Sequence, residues 1–373
     1  MKKTNRESNF ELLRILAMVL IIIHHIFVHG INVQINDPNA YGVFGIFNNL
    51  LFYKRLALSE LAISFGKIGT DLFILISGYF CINKTDLKIK DKIIKLLSQL
   101  LFAVVILVIC STLYNKFIDN SFKYFVNLET FSKSFWFIGY YLLIIIIGEI
   151  FINPRIINIS KEKYSKLIWI LTAVITLSFI VNMSISLIAG LDVLLTGIYL
   201  YLLGGYISKY KPFDNIRSYV FIIIMIITYA FIILTFRNNQ ISNYLNNIND
   251  INVFHPMLFE SFIEYSISCM IIAISTFELF RRIRIKNNKV INYISAATFM
   301  TYLIHDNDFV RGLFRKISWI PMYANDLKSF LLYILCIVLI VLSIGIVAYS
   351  SYILLNKIIK SKTIKKLILN KNN

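Results

Sequence analysis

FELLRILAMVLIIIHHIFVHG, residues Phe10–Gly30, is long and apolar enough to cross a bilayer, which needs about 20 such residues. The stretch nevertheless carries several ionisable side chains. An ionisable group at membrane depth is costly, and it usually faces a protein interior or a wet cavity. This segment therefore predicts a membrane helix that contributes to a functional site. Its ionisable residues are Glu11, Arg14, His24, His25 and His29.

The helical repeat decides which of these side chains share a face. Arg14 and His25 are eleven residues apart, so they lie only ~20° apart around the helix axis and roughly 16 Å apart along it. His29 falls near the same stripe, whereas His24 points about 100° away. An i,i+3 ion pair between Glu11 and Arg14 is the alternative interpretation of the charged end.

The composition of the chain is that of a membrane protein. Of its 373 residues, 58% are hydrophobic and 16% are charged, and the mean hydropathy is +0.71. A soluble protein would have about a quarter of its residues charged. We therefore predict an all-α, polytopic membrane protein with about ten transmembrane helices. The predicted spans are residues 10–29, 62–82, 93–114, 135–152, 166–183, 187–207, 218–236, 258–280, 290–305 and 329–355.

The basic residues orient these spans. Lys and Arg total 38 against 20 Asp and Glu, a net charge of +18. If the N-terminus is cytoplasmic, most basic residues fall in cytoplasmic segments, as the positive-inside rule requires, and both termini are cytoplasmic. The charge therefore needs no nucleic-acid partner. We expect a transmembrane domain over residues 1–356 and a basic cytoplasmic tail over 357–373 that lies on anionic membrane lipids.

A second polar group lies in the span over residues 62–82, where glycines surround Asp71 and Ser77. By helical rise, Asp71 lies at a level similar to that of His25, so the two side chains could meet. An i,i+4 pair between Lys67 and Asp71 is the alternative. The four cysteines are scattered without metal-ligand spacing, and we expect no metal site.

A third polar group lies in the span over residues 290–305. Thr298, Thr301, Tyr302 and His305 follow one another at helical spacing and form a polar stripe. A histidine beside a carboxylate is suited to general-base catalysis, and an arginine is suited to a phosphorylated ligand. The residues alone thus predict a cavity near the arginine, a base toward the outside, and chemistry or transport between them.

Four motifs in this order resemble those of the acyltransferase-3 family of integral membrane acyltransferases, which acylate, most often acetylate, bacterial surface polysaccharides. Each motif is short, but together they span nearly the whole chain in the expected order. They are NFELLR (residues 9–14) with His25 completing an R-x10-H pattern, GTDLFILISGYF (69–80), FWF (135–137) and TYLIH (301–305).

The resemblance implies a multi-pass protein of the bacterial cytoplasmic membrane without a bound cofactor. Acyl-CoA, most simply acetyl-CoA, would be the donor, and a hydroxyl of a surface polysaccharide or lipid-linked glycan the acceptor. His25 would be the catalytic base or a transient acyl carrier, and Arg14 would hold the donor. The implied site residues are catalytic His25, Asp71 and His305, and substrate-binding Arg14, Ser77, Trp136 and Tyr302.

The chain departs from the family in its cytoplasmic loops, because many members have an arginine cluster after the second or third span. Here that loop carries lysines, and the arginines come much later, so either loop could bind the CoA phosphates. A second interpretation is a polysaccharide-intermediate transporter or polymerase, in which Arg14 and Arg237 bind a lipid-linked phosphate and His25 a proton. The two basic groups are Lys84, Lys88, Lys90 and Lys92 in the early loop, and Arg281, Arg282 and Arg284 in the late one.

Overall fold

The computed structural model describes residues 7–35, 50–84, 86, 88–119, 136–182, 191–249 and 267–369. These residues are almost all helical, and no strand occurs among them. The all-α prediction is thereby confirmed. Phe135 of the FWF motif, and the parts of two predicted spans at 187–190 and 258–266, lie outside the described residues.

Twelve helices are labelled here in chain order. Two of them contain a π-helical turn and continue beyond it: α1 through Phe27–Ile31 and Asn32–Ile35, and α4 through Gly148–Ile152 and Asn153–Ile156. The helices are α1 (Ser8–Ile26), α2 (Leu50–Cys81), α3 (Ile89–Phe117), α4 (Trp136–Ile147), α5 (Lys161–Asn182), α6 (Leu191–Tyr210), α7 (Ser218–Asn249), α8 (Ile267–Arg282), α9 (Lys289–His305), α10 (Asp308–Arg315), α11 (Trp319–Asn325) and α12 (Leu327–Leu369).

Each of the ten predicted spans overlaps one of these helices. Six helices among the described residues are long and apolar enough to cross a membrane, and the protein is a multi-pass membrane protein. The number of spans and the cytoplasmic position of the termini remain predictions. The six are Ser8–Ile35, Leu50–Cys81, Ile89–Phe117, Trp136–Ile156, Ser218–Asn238 and Leu327–Ile359.

Helix α2 lies at the centre of the bundle. It packs against α1, α6, α7 and α8, and 72% of its apolar segment is buried, compared with 17% for α7. Its contact with α6 is backbone on backbone. A Cβ at Gly78 would overlap the Tyr201 carbonyl, and one at Gly204 would overlap the Leu75 carbonyl. Small residues permit this approach, as is usual where membrane helices cross closely.

We therefore expect Gly78→Val to destabilise the protein by about 1–3 kcal/mol or more, because the new side chain forces α2 and α6 apart. The measurement is the melting temperature of the purified protein in detergent. Gly139→Val is the matched control, because a Cβ at Gly139 meets nothing within 4 Å. Equal melting temperatures for the two variants would contradict the close helix crossing.

Helices α9, α10 and α11 close the bundle at the histidine end of α1. Asn307 separates α9 from α10: its amide donates to the Ile304 carbonyl at 2.6 Å, and its side-chain oxygen accepts from the Val310 N–H at 3.1 Å. Such a residue satisfies the free groups of two helix ends. Arg55 of α2 donates to the carbonyl of Ala324 at 2.6 Å and so attaches the end of α11 to the bundle.

Gln34 attaches the segment between α10 and α11 to the end of α1. Its amide donates to the carbonyls of Arg315 at 3.1 Å and Ile317 at 2.5 Å. Its oxygen accepts from the Trp319 N–H at 3.0 Å. These bonds pair backbone groups that the short helices leave free, and they fix the position of the two helices over the histidine end of α1.

Candidate active site

His25 lies inside the bundle, where α1 changes from an α-helix to a π-helical turn. Its side chain is 8% exposed, and the π turn over Phe27–Ile31 begins two residues later. Single π turns in helices occur frequently at functional sites. The His29 ring lies in this turn, with its centroid 5.4 Å from that of His25, so both rings face the same part of the protein.

The hydrogen bonds of His305 define the tautomer of His25. His305 Nδ1 lies 2.7 Å from the Thr301 carbonyl oxygen, and because a carbonyl only accepts, this nitrogen carries the proton. In neutral His305 the Nε2 atom must then accept. It lies 2.9 Å from His25 Nδ1, so His25 donates from Nδ1 and keeps a lone pair on Nε2. His25 and His305, both predicted as site residues, are hydrogen-bonded to each other, and this bond leaves His25 Nε2 as the basic atom.

The carboxylate next to His25 is Asp306. Its Oδ1 lies 3.8 Å from His25 Nε2, close enough to stabilise the imidazolium that forms when Nε2 takes a proton. Asp306 is fully buried and is held by Arg311, which donates to Oδ1 from Nη2 at 2.5 Å and from Nε at 3.0 Å. His305, His25, Asp306 and Arg311 thus form one polar chain.

The sequence left two partners open for Asp71, and the structure shows the alternative to His25. Asp71 instead forms the i,i+4 pair with Lys67, at 2.8 Å, and both side chains are buried. The reason is local: two opposite charges one helical turn apart in an apolar bundle pair more readily with each other than across helices. Asp306 takes the position that was predicted for Asp71.

Three of the four other predicted residues line one or both of two cavities. Trp136, which is 48% exposed, and Tyr302 line a cavity of about 460 Å³, here called the histidine cavity, together with His24, His25 and His29. Arg14 lines a second cavity of about 390 Å³, here called the arginine cavity. Ser77 is in the described wall of neither; it donates to the Phe73 carbonyl at 2.8 Å.

The two cavities meet at an aromatic pair. Phe137 and Tyr302 line both cavities, and their ring centroids are 5.7 Å apart in an edge-to-face arrangement. Both side chains are buried. The two rings therefore form the partition between the cavity that Arg14 lines and the cavity that His25 lines.

Arg14 is held in the arginine cavity by Glu11. Its Nη1 donates to Glu11 Oε1 at 2.7 Å, so the predicted i,i+3 pair is present. Glu11 also accepts from Ser295 Oγ at 2.5 Å, which connects α1 to α9. The Arg14 side chain remains 29% exposed, so its pairing leaves it accessible from the cavity. Lys95 of α3 lines the same cavity.

Of the three late arginines, Arg281 and Arg282 make structural contacts, whereas Arg284 is exposed. Arg281 binds Glu278 at 2.9 Å and Asp214 at 2.5 Å, and its guanidinium holds the pKa of the Asp214 carboxyl below its ordinary value. Arg282 donates to the Ile216 carbonyl at 2.5 Å. Both arginines thus fasten the loop before α7 to the end of α8. The early lysines Lys84, Lys88 and Lys90 are exposed.

A possible metal-ligand set lies at the wall of the histidine cavity. His25, His29 and Asp306 each offer one ligand atom, and these atoms lie within 4.8 Å of one another. However, Arg311 already binds the Asp306 oxygen at 2.5 Å, and a nearby guanidinium disfavours a divalent cation. The absence of a metal site remains a prediction.

Sequence reasoning missed Asp306 and Arg311. It also missed the contact of Phe137 with Tyr302 where the two cavities meet. Asp306 directly follows His305, so an acid at the end of a polar stripe was a usable signal. Arg311 gave no such signal, because Asn307 interrupts the helix and the spacing from Asp306 follows no helical period.

The fold is that of a multi-pass, all-α membrane protein. Comparison with known families identifies the family to which the chain belongs. A family model described as an acyltransferase domain, that of the acyltransferase-3 family, matches residues 7–349. The chain belongs to the acyltransferase-3 family, which supports a membrane acyltransferase activity. No curated protein and no solved structure matches the chain.

Proposed function

We propose that the protein transfers an acyl group, most simply acetyl, from cytoplasmic acyl-CoA to a hydroxyl of an envelope polysaccharide or lipid-linked glycan of a bacterium. The observation that carries this proposal is the meeting of the two cavities at Phe137 and Tyr302. A cationic cavity on one side and a histidine base on the other are what a transfer across the membrane requires. The basic-residue distribution supports assigning the arginine cavity to the cytoplasmic side.

The donor would bind at the arginine cavity. Guanidinium groups bind phosphate in a forked geometry, and lysines bind it as point charges. Arg14 and Lys95 line this cavity. Exposed Lys84 and Lys88 precede α3, and exposed Lys90 lies in its first turn. Arg281 and Arg282 hold the loop before α7 against α8, which leaves Arg284 as the exposed arginine of the late group. We therefore assign the CoA phosphates to the lysine loop, where three lysines are exposed. The thioester would then reach the histidine cavity between Phe137 and Tyr302.

The reaction proceeds at His25 Nε2. The acceptor hydroxyl gives its proton to this nitrogen while its oxygen attacks the thioester carbonyl. The carbon–sulfur bond then breaks, and the imidazolium returns the proton to the CoA thiolate, which leaves as the thiol. A positioned base of this kind contributes about 10²–10⁴-fold to the rate. Asp306 lies 3.8 Å from the nitrogen that carries the transient proton and stabilises it.

Two measurements test this proposal. CoA and acetyl-CoA should raise the melting temperature of the purified protein at saturating concentration, since they bind only the folded state. NMR spectra of surface glycan from a deletion strain should lack an O-acyl signal that the parent strain shows. Unchanged melting temperatures together with unchanged glycan would overturn the proposal.

Arg14→Lys is expected to raise the KM for acyl-CoA about tenfold, because an ammonium cannot reproduce the forked phosphate contact. Steady-state kinetics at fixed acceptor measure this change. Arg155→Lys is the control: Arg155 is exposed and donates to the Phe151 carbonyl at 2.8 Å, away from the described walls of both cavities. An unchanged KM for Arg14→Lys would mean that Arg14 only pairs with Glu11.

The transporter interpretation finds no support at its second arginine. Arg237 is exposed on α7 and is absent from the described lining of both cavities. A lipid-linked phosphate held jointly by Arg14 and Arg237 is therefore not favoured by the geometry. Stabilisation of the protein by CoA would also argue against it, because that function uses no acyl donor.

A further inference from the structure

The wall of the histidine cavity combines aromatic rings with cations. Trp136, Phe137 and Tyr302 supply the rings, and Lys67 and Arg311 the cations. Among the described lining residues there is no carboxylate. A ligand that enters this cavity therefore meets positive charge beside flat apolar faces.

The acids that balance these cations lie behind the wall. Asp71, the partner of Lys67, is 1% exposed, and Asp306, the partner of Arg311, is 0% exposed. In each pair the opposite charge at contact distance offsets part of the cost of burying the cation. The positive ends of both pairs point toward the ligand, and the negative ends point away from it.

Arg311 and Lys67 differ in their relation to His25. Arg311 binds the same Asp306 oxygen that faces His25, so it belongs to the reacting centre. Lys67 lies on α2 and pairs with Asp71 at 2.8 Å, whereas the carboxylate beside His25 is Asp306. A buried ion pair adds little or nothing to stability relative to apolar side chains of similar size. Ionisable groups at membrane depth mark functional sites by default, and stability alone does not account for Lys67.

We infer that the acceptor glycan carries an anionic group, a carboxylate or a phosphate, which Lys67 binds while the sugar ring packs against the aromatic side chains. This inference rests on the proposed function, which places the acceptor in the histidine cavity. The cavity, about 460 Å³, is in the size range of small-molecule sites. The ammonium anchors one end of the acceptor, and the hydroxyl to be acylated lies toward His25.

Binding of matched oligosaccharides to the purified protein in nanodiscs tests this inference. The carboxylate pair is trigalacturonate and its carboxyl-reduced counterpart. The phosphate pair is maltotriose with one 6-phosphate and plain maltotriose. We expect the acidic member of at least one pair to bind tenfold tighter or more, with the difference shrinking at high salt. The pair that shows the difference identifies the anionic group.

The test variant is Lys67→Gln with Asp71→Asn, which removes both charges and leaves no unpaired ion. It should keep a melting temperature close to that of the parent and lose the preference for the acidic probe. The single variant Lys67→Arg should retain that preference. Equal binding of acidic and neutral probes by the parent protein would overturn the inference, as would a preference that survives in the double variant.

CoA stabilisation measured on the same preparation separates this inference from the proposed function. Stabilisation by CoA with equal binding of all probes overturns the anionic acceptor and leaves acyl transfer standing. Charge-selective binding without any effect of CoA, together with unchanged glycan in the deletion strain, overturns acyl transfer and leaves the anion site standing. The double variant could also lose turnover with every probe while its binding stays selective for the acidic member. That result would assign Lys67 to the reacting centre and overturn its anchoring role.

Discussion

Replacing His25 by alanine is expected to lower acyl transfer by about 10²–10⁴-fold at unchanged protein level, because the reaction loses its base. His25 is the histidine whose unprotonated Nε2 lies 3.8 Å from Asp306 Oδ1, since its Nδ1 proton is directed to His305 at 2.9 Å. The measurement is transfer from radiolabelled acetyl-CoA to glycan isolated from a deletion strain.

His24→Ala is the matched control, one residue away and in the same cavity wall. Its Nδ1 donates to the Ile63 carbonyl of α2 at 2.7 Å, and its ring packs against Gly66. The role of His24 is therefore packing between α1 and α2, and the variant should keep most of the activity while melting at a lower temperature. Equal loss of activity in the two variants would remove the geometric basis for choosing His25.

Asp306→Asn is expected to reduce kcat by about two orders of magnitude, because the imidazolium of His25 loses the carboxylate that stabilises it. Asp308→Asn is the matched control: Asp308 is 42% exposed and lies 3.7 Å from Arg311, so it is another carboxylate beside the same guanidinium. That control should retain near-parent turnover, as exposed ion pairs contribute little.

A further variant separates catalysis from folding at Asp306. Removing one partner of a buried pair typically costs about 3–5 kcal/mol, because the other charge is left unpaired. Asp306→Asn combined with Arg311→Gln removes both charges, so it should recover thermal stability without recovering kcat. Recovery of turnover in this double variant would show that Asp306 serves only to neutralise Arg311.

The helices of the fold could be predicted from the sequence because hydropathy alone identifies apolar spans. Their ends were less predictable. The second span was expected to begin at residue 62, whereas α2 begins at Leu50. The added turns carry polar residues such as Arg55, whose donors bind the carbonyls of Tyr323 and Ala324. Tertiary partners satisfy these polar groups, and a hydropathy profile cannot register such partners.

The candidate site could be predicted where one helix determined the geometry. Arg14 and His25 share α1, and His305 follows a stripe on α9, so helical spacing was sufficient. Asp71 required knowledge of how α2 is rotated relative to α1, and a linear sequence does not contain it. The nearest opposite charge, Lys67, decided the pairing of Asp71, and the carboxylate at His25 came from the residue after His305.

The role of the basic loops, like that of Asp71, depends on packing that a linear sequence does not contain. Arg281 and Arg282 have the composition of a phosphate-binding cluster, but Glu278, fully buried at their helix end, binds both. A charge pattern identifies cations, whereas only the packed structure reveals which of them are already engaged. The sequence left both basic loops open as the CoA contact, and the contacts of Arg281 and Arg282 favour the early lysines.

Transfer in sealed proteoliposomes tests the central claim, that Phe137 and Tyr302 separate a donor cavity from an acceptor cavity on opposite sides of one membrane. Acetyl-CoA is enclosed in the lumen of vesicles whose inserted protein has its termini facing inward, and glycan from a deletion strain is added outside. We predict acetylated glycan outside only when acetyl-CoA is inside. Acetylation only when donor and acceptor share one compartment would contradict the account.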